Sequence, residues 1–239
     1  MNIDFVKVPF LNNPSMQKYE GPIVKKHPSE FYLEEKKRSL EDFDTDLYGE
    51  SELFKESQIL SKVKKLLDIE TPGSFLDVSM QLEEDLAIMH RGKLEAIAFC
   101  FPSGWIPRNG LGQGFQYLHN PVADNELLLK SSNKLTEYMT KHRIQRWVWN
   151  VTTINELSNH PKVERPDITS FEDLYFRLET QISTPVDEET SLFSVHVSVV
   201  PLHTIWDDKI LESINSMSDN ILKYKNLVEI KNYLNTIKI

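Results

Sequence analysis

The sequence predicts an α+β fold in which one five-stranded antiparallel sheet is covered by helices. Three observations predict it. Apolar stretches of strand length, rich in Val, Ile, Phe and Trp, occur at 86–91, 94–101, 145–153, 174–184 and 192–200. The first two flank Gly92-Lys93, a two-residue turn signal of hairpin type. Helical periodicity falls before the hairpin, between the second and third strands, and at the end of the chain. Strands grouped together, with helices set apart from them, mark an α+β arrangement.

The elements follow in order. Residues 1–30 carry Pro9, Pro14, Pro22 and Pro28 with little periodicity and read as an extended arm laid over the domain. A short charged helix spans 30–40. A second, over 52–68, gathers Leu53, Ile59, Leu60, Val63, Leu66 and Leu67 near one face and stops at Thr71-Pro72-Gly73-Ser74. The sheet core occupies 75–202, with a helical stretch at 125–141 crossing from the hairpin to the last three strands. Pro185-Val186-Asp187-Glu188-Glu189-Thr190 joins the final two strands. The tail, 207–237, is helical and breaks near Ser218-Asp219. The 239 residues form a single domain with enough chain for a substantial core. Strand, strand, helices and three more strands is also the element order of a PAS-like fold, which cups ligands between sheet and helices.

Bulk properties narrow the function. A net charge of −9 argues against a nucleic-acid binder, and the local basic run at Lys62, Lys64 and Lys65 reads as a solvated helix face. No apolar run approaches the ~18–20 residues that span a bilayer. The N-terminus lacks the basic and long apolar regions of a secretory signal. Cys100 is the only cysteine, so no internal disulfide forms, and a cytoplasmic location is expected. Histidine-glutamate-x-x-histidine is absent, and Gly110-Leu111-Gly112-Gln113-Gly114 lacks the strand and later acid of a dinucleotide motif.

The most informative stretch is Cys100-Phe101-Pro102-Ser103-Gly104-Trp105, followed by Gly112 and by His119-Asn120-Pro121-Val122. A strand breaks at a Pro-Ser-Gly corner and presents a large aromatic. Fourteen residues on comes a histidine held just before a proline. A flat, metal-bearing ligand such as haem needs those parts: an aromatic wall, close backbone approach at glycine, and an imidazole fixed in one orientation. His119 is the candidate iron ligand, against the alternative of a histidine bonded to backbone at a helix start. Trp105 either packs on the porphyrin or is core. Cys100 reads as a small buried hydrophobe rather than a thiolate ligand. Alternation places Arg146 and Trp149 on opposite faces of their strand, with Arg146 free to reach a propionate.

On the fourth strand Arg177, Glu179 and Gln181 share a face. On the fifth, Ser194, His196 and Ser198 share one. If the two faces coincide, Arg177, Glu179 and His196 form a cluster. Arg177 would then pair with a propionate, Glu179 would attract a cationic amine, and His196 would relay protons or act as a second candidate ligand. The alternative is a solvated sheet face with cross-strand pairs. His90, His142, His160 and His203 lack supporting context and read as surface or cap residues.

Taken together these segments resemble the haem-dependent oxidative N-demethylase family. The resemblance runs through Pro9-Phe10-Leu11, Tyr19-Glu20-Gly21-Pro22-Ile23, Glu35-Lys36-Lys37-Arg38, Glu84-Asp85-Leu86, the Cys100–Trp105 run, Gly112 and His119-x-Pro121-Val122. It continues through Arg146-x-x-Trp149, Arg177-x-Glu179-x-Gln181 and Phe193 to Pro201-Leu202. It implies a PAS-like fold holding a non-covalent haem b, since the covalent attachment motif is absent. It also implies oxygen-dependent removal of a methyl group from a small secondary amine such as dimethylamine, with release of formaldehyde. Electrons would come from NADPH through separate flavin and iron–sulfur components, a reductase or ferredoxin. The implied site is His119 on iron, Trp105, Arg146 and Gly112 around the haem, and Glu179, His196 and Arg177 in catalysis.

The chain departs from the family pattern at Val148 (usually asparagine), Gly110 (usually lysine), Thr180 (usually arginine) and His196 (usually arginine). These departures leave two alternatives: a non-catalytic haem or gas-sensing module, or a haem-free subunit of a complex.

Overall fold

The computed structural model describes residues 2–11 and 16–237; Pro14 of the arm lies outside them. The sheet has seven antiparallel strands, not five: β1 (Gln17–Lys18), β2 (Tyr48–Glu50), β3 (Asp85–His90), β4 (Lys93–Ala98), β5 (Ile144–Thr152), β6 (Tyr175–Asp187) and β7 (Thr190–Pro201), in the order β1-β5-β6-β7-β3-β4-β2. The five long strands are those the sequence predicts. The two extra ones, two and three residues long, cap the outer edges, and segments this short carry no periodicity to read.

The β3–β4 turn is Arg91-Gly92, one residue earlier than expected, and both residues have positive φ (50° and 76°), as a two-residue hairpin requires. The predicted loop at 185–190 shrinks to Glu188-Glu189, because Pro185 is accommodated at an irregularity in the β6–β7 ladder.

The helices are α1 (Glu30–Phe43), α2 (Glu52–Glu56), α3 (Ile59–Leu67), α4 (Phe75–Ser79), α5 (Phe115–His119), α6 (Glu126–Lys130), α7 (Ser132–Met139), α8 (Asp208–Asn215), α9 (Asp219–Tyr224) and α10 (Val228–Leu234). Serines explain most of the divisions. Ser57 is extended and its hydroxyl accepts the N–H of Ile59, so the expected 52–68 helix becomes α2 and α3. Ser218 caps α9 by accepting the N–H of Ile221, at the predicted break. Asn226, at φ 55°, adds a second break before α10. None of these helices is long and apolar enough to cross a membrane.

Helices cover both faces of the sheet rather than one. On one face Phe54, Val63 and Phe75 from α2–α4 pack on Leu86, Ile88, Ala96 and Leu192. Beside them Ile210, Ile214, Ile221, Leu227 and Ile230 from α8–α10 pack on Trp149, Phe176 and Leu178. Each such side chain contributes about 1.5–3 kcal/mol on burial. On the opposite face α5–α7 cross the strands but do not close on them.

A buried ion pair fixes the corner after β4. Lys36, on α1, is wholly inaccessible; its ammonium donates to Ser79 O (3.0 Å), Ser79 Oγ (3.1 Å) and Glu84 O (2.5 Å) and lies 3.5 Å from Asp85. Asp85 in turn accepts the N–H groups of Cys100 (2.9 Å) and Phe101 (2.8 Å). The strand therefore leaves the sheet along one path at the Pro-Ser-Gly corner.

Candidate functional site

A cavity of about 490 Å³ lies between the sheet and α5–α7. That is within the range of roughly 300–1,000 Å³ typical of small-molecule sites. Its floor is Ala87, Ile97, Phe193 and Val195, with Arg146, Val148, Glu179 and Gln181 beside them; its roof is Phe115, Leu118, His119, Leu128, Leu135 and Met139. Trp105 forms part of the wall and meets Phe99 edge to face at 6.1 Å. The lining is mostly apolar, with Arg146 the one basic and Glu179 the one acidic residue among Arg, Lys, Asp and Glu there.

His119 ends α5. Its Nδ1 lies 2.8 Å from Phe115 O, one helical turn back, and its ring stacks on Phe115 at 3.9 Å. A carbonyl can only accept, so Nδ1 carries the proton and Nε2 carries the lone pair. Burial lowers the imidazole pKa to about 4, assisted by the Arg146 charge and opposed by the Phe115 bond, so the ring is neutral at pH 7. The two expectations for His119, iron ligand and backbone-bonded helix residue, are thus compatible. The backbone bond sets the tautomer that a metal-binding imidazole uses.

Arg146 points its guanidinium to the cavity, and its Nε is buried with no hydrogen-bond partner among the described residues. A buried N–H without an acceptor is costly, and Glu179 on the same wall is the carboxylate that acts on this guanidinium. Trp149 lies in the core on the other face, as alternation predicts.

Glu179 is positioned from three sides. Ser103 Oγ–H donates to Oε1, Gln181 Nε2 donates to Oε2 at 2.7 Å, and Arg177 lies 4.0 Å away. Arg177 itself does not line the cavity. Its Nε donates to Ser103 Oγ (3.1 Å), Nη1 to Leu157 O, and Nη2 to Phe101 O (2.9 Å). At 3% exposure, with its donors engaged by the chain, it ties the corner and the 157 loop to β6 and is not available for a propionate. The loop braces the corner further: Gly104 N–H donates to Asn159 O (2.8 Å) and Asn159 N–H to Pro102 O (3.0 Å).

His196 does not join Arg177 and Glu179. In the β6–β7 register Thr180 faces His196 while Glu179 faces Val197, so His196 emerges on the opposite side of the sheet. There it bonds Glu83 Oε2 at 2.8 Å and packs against Tyr32 at 5.0 Å. The predicted coincidence of polar faces assumed a register one residue away from the real one. It follows that the departure at position 196 does not alter the cavity, whereas those at Val148 and Gly110 do.

Gly112 is also outside the cavity. It occupies a left-handed turn (φ 76°) and donates to Leu94 O at 2.7 Å, with nothing near a would-be Cβ. The close-approach glycine is Gly110, where a Cβ would lie 2.7 Å from Leu118 Cδ2, 3.0 Å from Leu94 Cδ2 and 3.2 Å from Trp105 Cζ3.

Cys100 is buried in an apolar cluster and its thiol is pushed up to about 12, consistent with an inert hydrophobe. His160, read as a surface or cap residue, is instead buried and stacked on Phe43 at 4.1 Å. Ser103 and Tyr224 were not assigned a role from the sequence. Ser103 stood inside the corner motif. Tyr224 reaches the cavity only because α9 wraps the open edge of β5, where Lys225 Nζ donates to Trp149 O at 2.8 Å, and no local pattern foretells that.

The residues fit a non-covalent haem: a neutral imidazole held through Nδ1, a guanidinium whose Nε has no acceptor among the described residues, and apolar walls. The model of a family described as haem-dependent oxidative N-demethylase, alpha subunit-like, matches residues 19–235. No curated protein matches the chain. The cavity, the corner that shapes it and this match agree, and the chain belongs to the haem-dependent oxidative N-demethylase, alpha subunit-like family.

Proposed function

We propose that this chain is the haem-binding, oxygen-activating subunit of an oxidative N-demethylase system acting on a small secondary amine such as dimethylamine, with formaldehyde as product. The observation that carries this reading is the pairing of His119, held through Nδ1 so that Nε2 is the nitrogen left for a metal, and Glu179, a carboxyl side chain on the wall of the same apolar cavity. When bound, a haem b supplies the redox chemistry toward oxygen. The protein supplies the rest. His119 Nε2 is the donor for iron, held by the Phe115 bond. Arg146 receives a propionate. Trp105 and Phe99 exclude water from one wall.

Glu179 binds the ammonium form of the amine, which is why its two oxygens are fixed by Ser103 and Gln181. Tyr224, whose phenol is raised by burial, keeps its proton and offers a hydrogen bond at the cavity edge. Arg177 is a positioning residue: it acts through Ser103 on Glu179. Electrons would come from NADPH through separate flavin and iron–sulfur partners in a multi-subunit complex, in the cytoplasm. A PAS-like architecture is supported by the β3–β4 hairpin lying beside the last strand, β7, with a ligand-sized space on one face.

The test is formaldehyde release by haem-loaded protein given reductant, oxygen and dimethylamine. Turnover that falls at least 100-fold in Glu179→Gln, with the haem spectrum unchanged, is expected. Haem-loaded protein that never releases formaldehyde supports a second reading, a haem or gas sensor. Val148 and Gly110 favour that reading, because they leave the cavity apolar where the family pattern carries asparagine and lysine.

A further inference from the structure

A second cavity, of about 220 Å³, lies on the opposite face of the sheet. Its lining includes Glu84, His196, Gln145, Thr180 and Lys25, whose ammonium is engaged by Glu83, with Pro22, Ile23 and Ile182 as apolar walls. The cavity belongs to neither the haem site nor its supports.

Three successive acids, Glu83, Glu84 and Asp85, sit beside it, and their partners differ. Glu83 is held by Lys25 Nζ (2.6 Å), the Ser29 N–H (2.8 Å) and His196 Nε2 (2.8 Å). Asp85 has Lys36 and two backbone N–H groups. Glu84 is met only by backbone: the Lys25 N–H lies 3.1 Å from Oε1, and its own N–H also acts on the carboxyl. Its Oε2 is buried with no partner among the described residues, although the residue is only 5% exposed.

Lys25 pairs with Glu83 and Lys36 with Asp85. His196 adds nothing, because burial lowers its pKa and the ring donates its one N–H to Glu83. Glu84, which borders the cavity, is the one acid of the three with no ion pair among the described residues, and burial raises its pKa, a cost that a cation meeting it would offset. A buried carboxylate oxygen without a donor is costly unless a cation or donor meets it.

We propose that this second cavity binds a small organic ammonium ion, with its N–H groups on Glu84 Oε2 and Thr180 Oγ1 and its alkyl part against Ile23 and Ile182. The apolar walls favour an alkylammonium over a hydrated metal ion, which would bring water that Pro22, Ile23 and Ile182 cannot bond. The volume suits a cation of a few heavy atoms. The site does not depend on the function proposed above, since it shares no residue with the haem cavity.

The test is calorimetric titration of the full chain, in a Glu179→Gln background that removes the other candidate amine site, with methylammonium chloride as the probe. Saturable one-to-one binding is expected. Glu84→Gln, which keeps the shape and removes the charge, should weaken it at least tenfold, and Thr180→Val should weaken it severalfold. Ile182→Trp, which fills the cavity and leaves Glu84 in place, should abolish it. Three results would overturn the proposal: no saturable binding, equal affinity in Glu84→Gln, or equal binding of potassium or tetramethylammonium, which carry no N–H. Circular dichroism of each variant separates lost binding from lost fold. Formaldehyde release is not the readout, so failure here leaves the demethylase reading untouched, and the reverse holds.

Discussion

The two ends of one sheet face treat charge in opposite ways. At the corner end, Arg177 and Lys36 are fully buried cations with their donors engaged by carbonyls, hydroxyls and carboxylates of the chain itself. At the cavity end, Arg146 Nε has no hydrogen-bond partner among the described residues, and His119 is held to the chain through Nδ1. The same residue type, arginine, appears at both ends on adjacent strands. The difference teaches that buried charge serves the fold where the protein completes its hydrogen bonds, and marks a ligand site where it does not.

The largest effect should break or confirm that contrast directly. Arg177→Met removes a cation that three segments share, leaving Leu157 O and Phe101 O without their donor. A loss of about 3–5 kcal/mol is expected. Arg146→Met removes a cation whose Nε has no hydrogen-bond partner among the described residues and whose charge is met across the cavity wall by Glu179, and should change the stability of the haem-free protein by less than about 1 kcal/mol. Urea unfolding of both variants checks this. Equal losses would mean that Arg146 is a structural residue after all.

Haem affinity should show the reverse order. His119→Ala is expected to weaken haem binding at least 100-fold, which corresponds to about 2.7 kcal/mol. Arg146→Met should weaken it about tenfold through the lost anion contact. Absorbance titration with haem reads both. An unchanged Soret band in His119→Ala would remove the ligand assignment while leaving the cavity intact.

A pH experiment sharpens the same comparison. His119 has a folded pKa of about 4, below its ordinary value of 6.5. The unfolded chain therefore binds the extra proton first as pH falls. Its contribution is intact above about pH 6.5, declines between 6.5 and 4, and is gone below about 4. The loss should be on the order of 2 kcal/mol, less than full linkage gives, since the ring borders a cavity rather than solid core. Chemical denaturation at pH 7, 5.5 and 4 should show a steeper decline in wild type than in His119→Gln.

What the sequence made legible follows from how local each signal is. Strand alternation is local, so the five long strands and the opposite faces of Arg146 and Trp149 came through. The helices came through as periods but not as pieces, because Ser57 and Asn226 act through backbone geometry that periodicity does not contain. That His119 borders a ligand-sized space agrees with its place before Asn-Pro, a local motif, while its role on iron is a proposal. The assignment of His196 failed because facing across strands is decided by register, and a shift of one residue reverses the face. Arg177 looked like a site residue because a charge on a strand is conspicuous. That its partners are carbonyls from two distant loops is tertiary information. Lys36 and Asp85 stood in the recognised segments, but nothing local announces that 49 positions of chain close into one ion pair.

The smallest effects lie two residues apart, in glycines that the sequence treats alike. Gly112→Ala places a side chain at φ 76° in open space, so only backbone strain opposes it. A loss of about 1 kcal/mol is expected, with haem affinity and spectrum unchanged. Gly110→Ala has no such backbone problem, but its methyl enters the contact between Leu118, Leu94 and Trp105. All three neighbours are side chains that line the cavity, so they can yield by turning into it. The stability loss should be similar, about 1 kcal/mol, but here haem affinity should fall severalfold and the Soret band should shift. If both variants shift the spectrum, the roof of the cavity extends to the left-handed turn. If neither does, Gly110 merely packs the wall, and the close approach at that glycine belongs to the fold and not to the ligand.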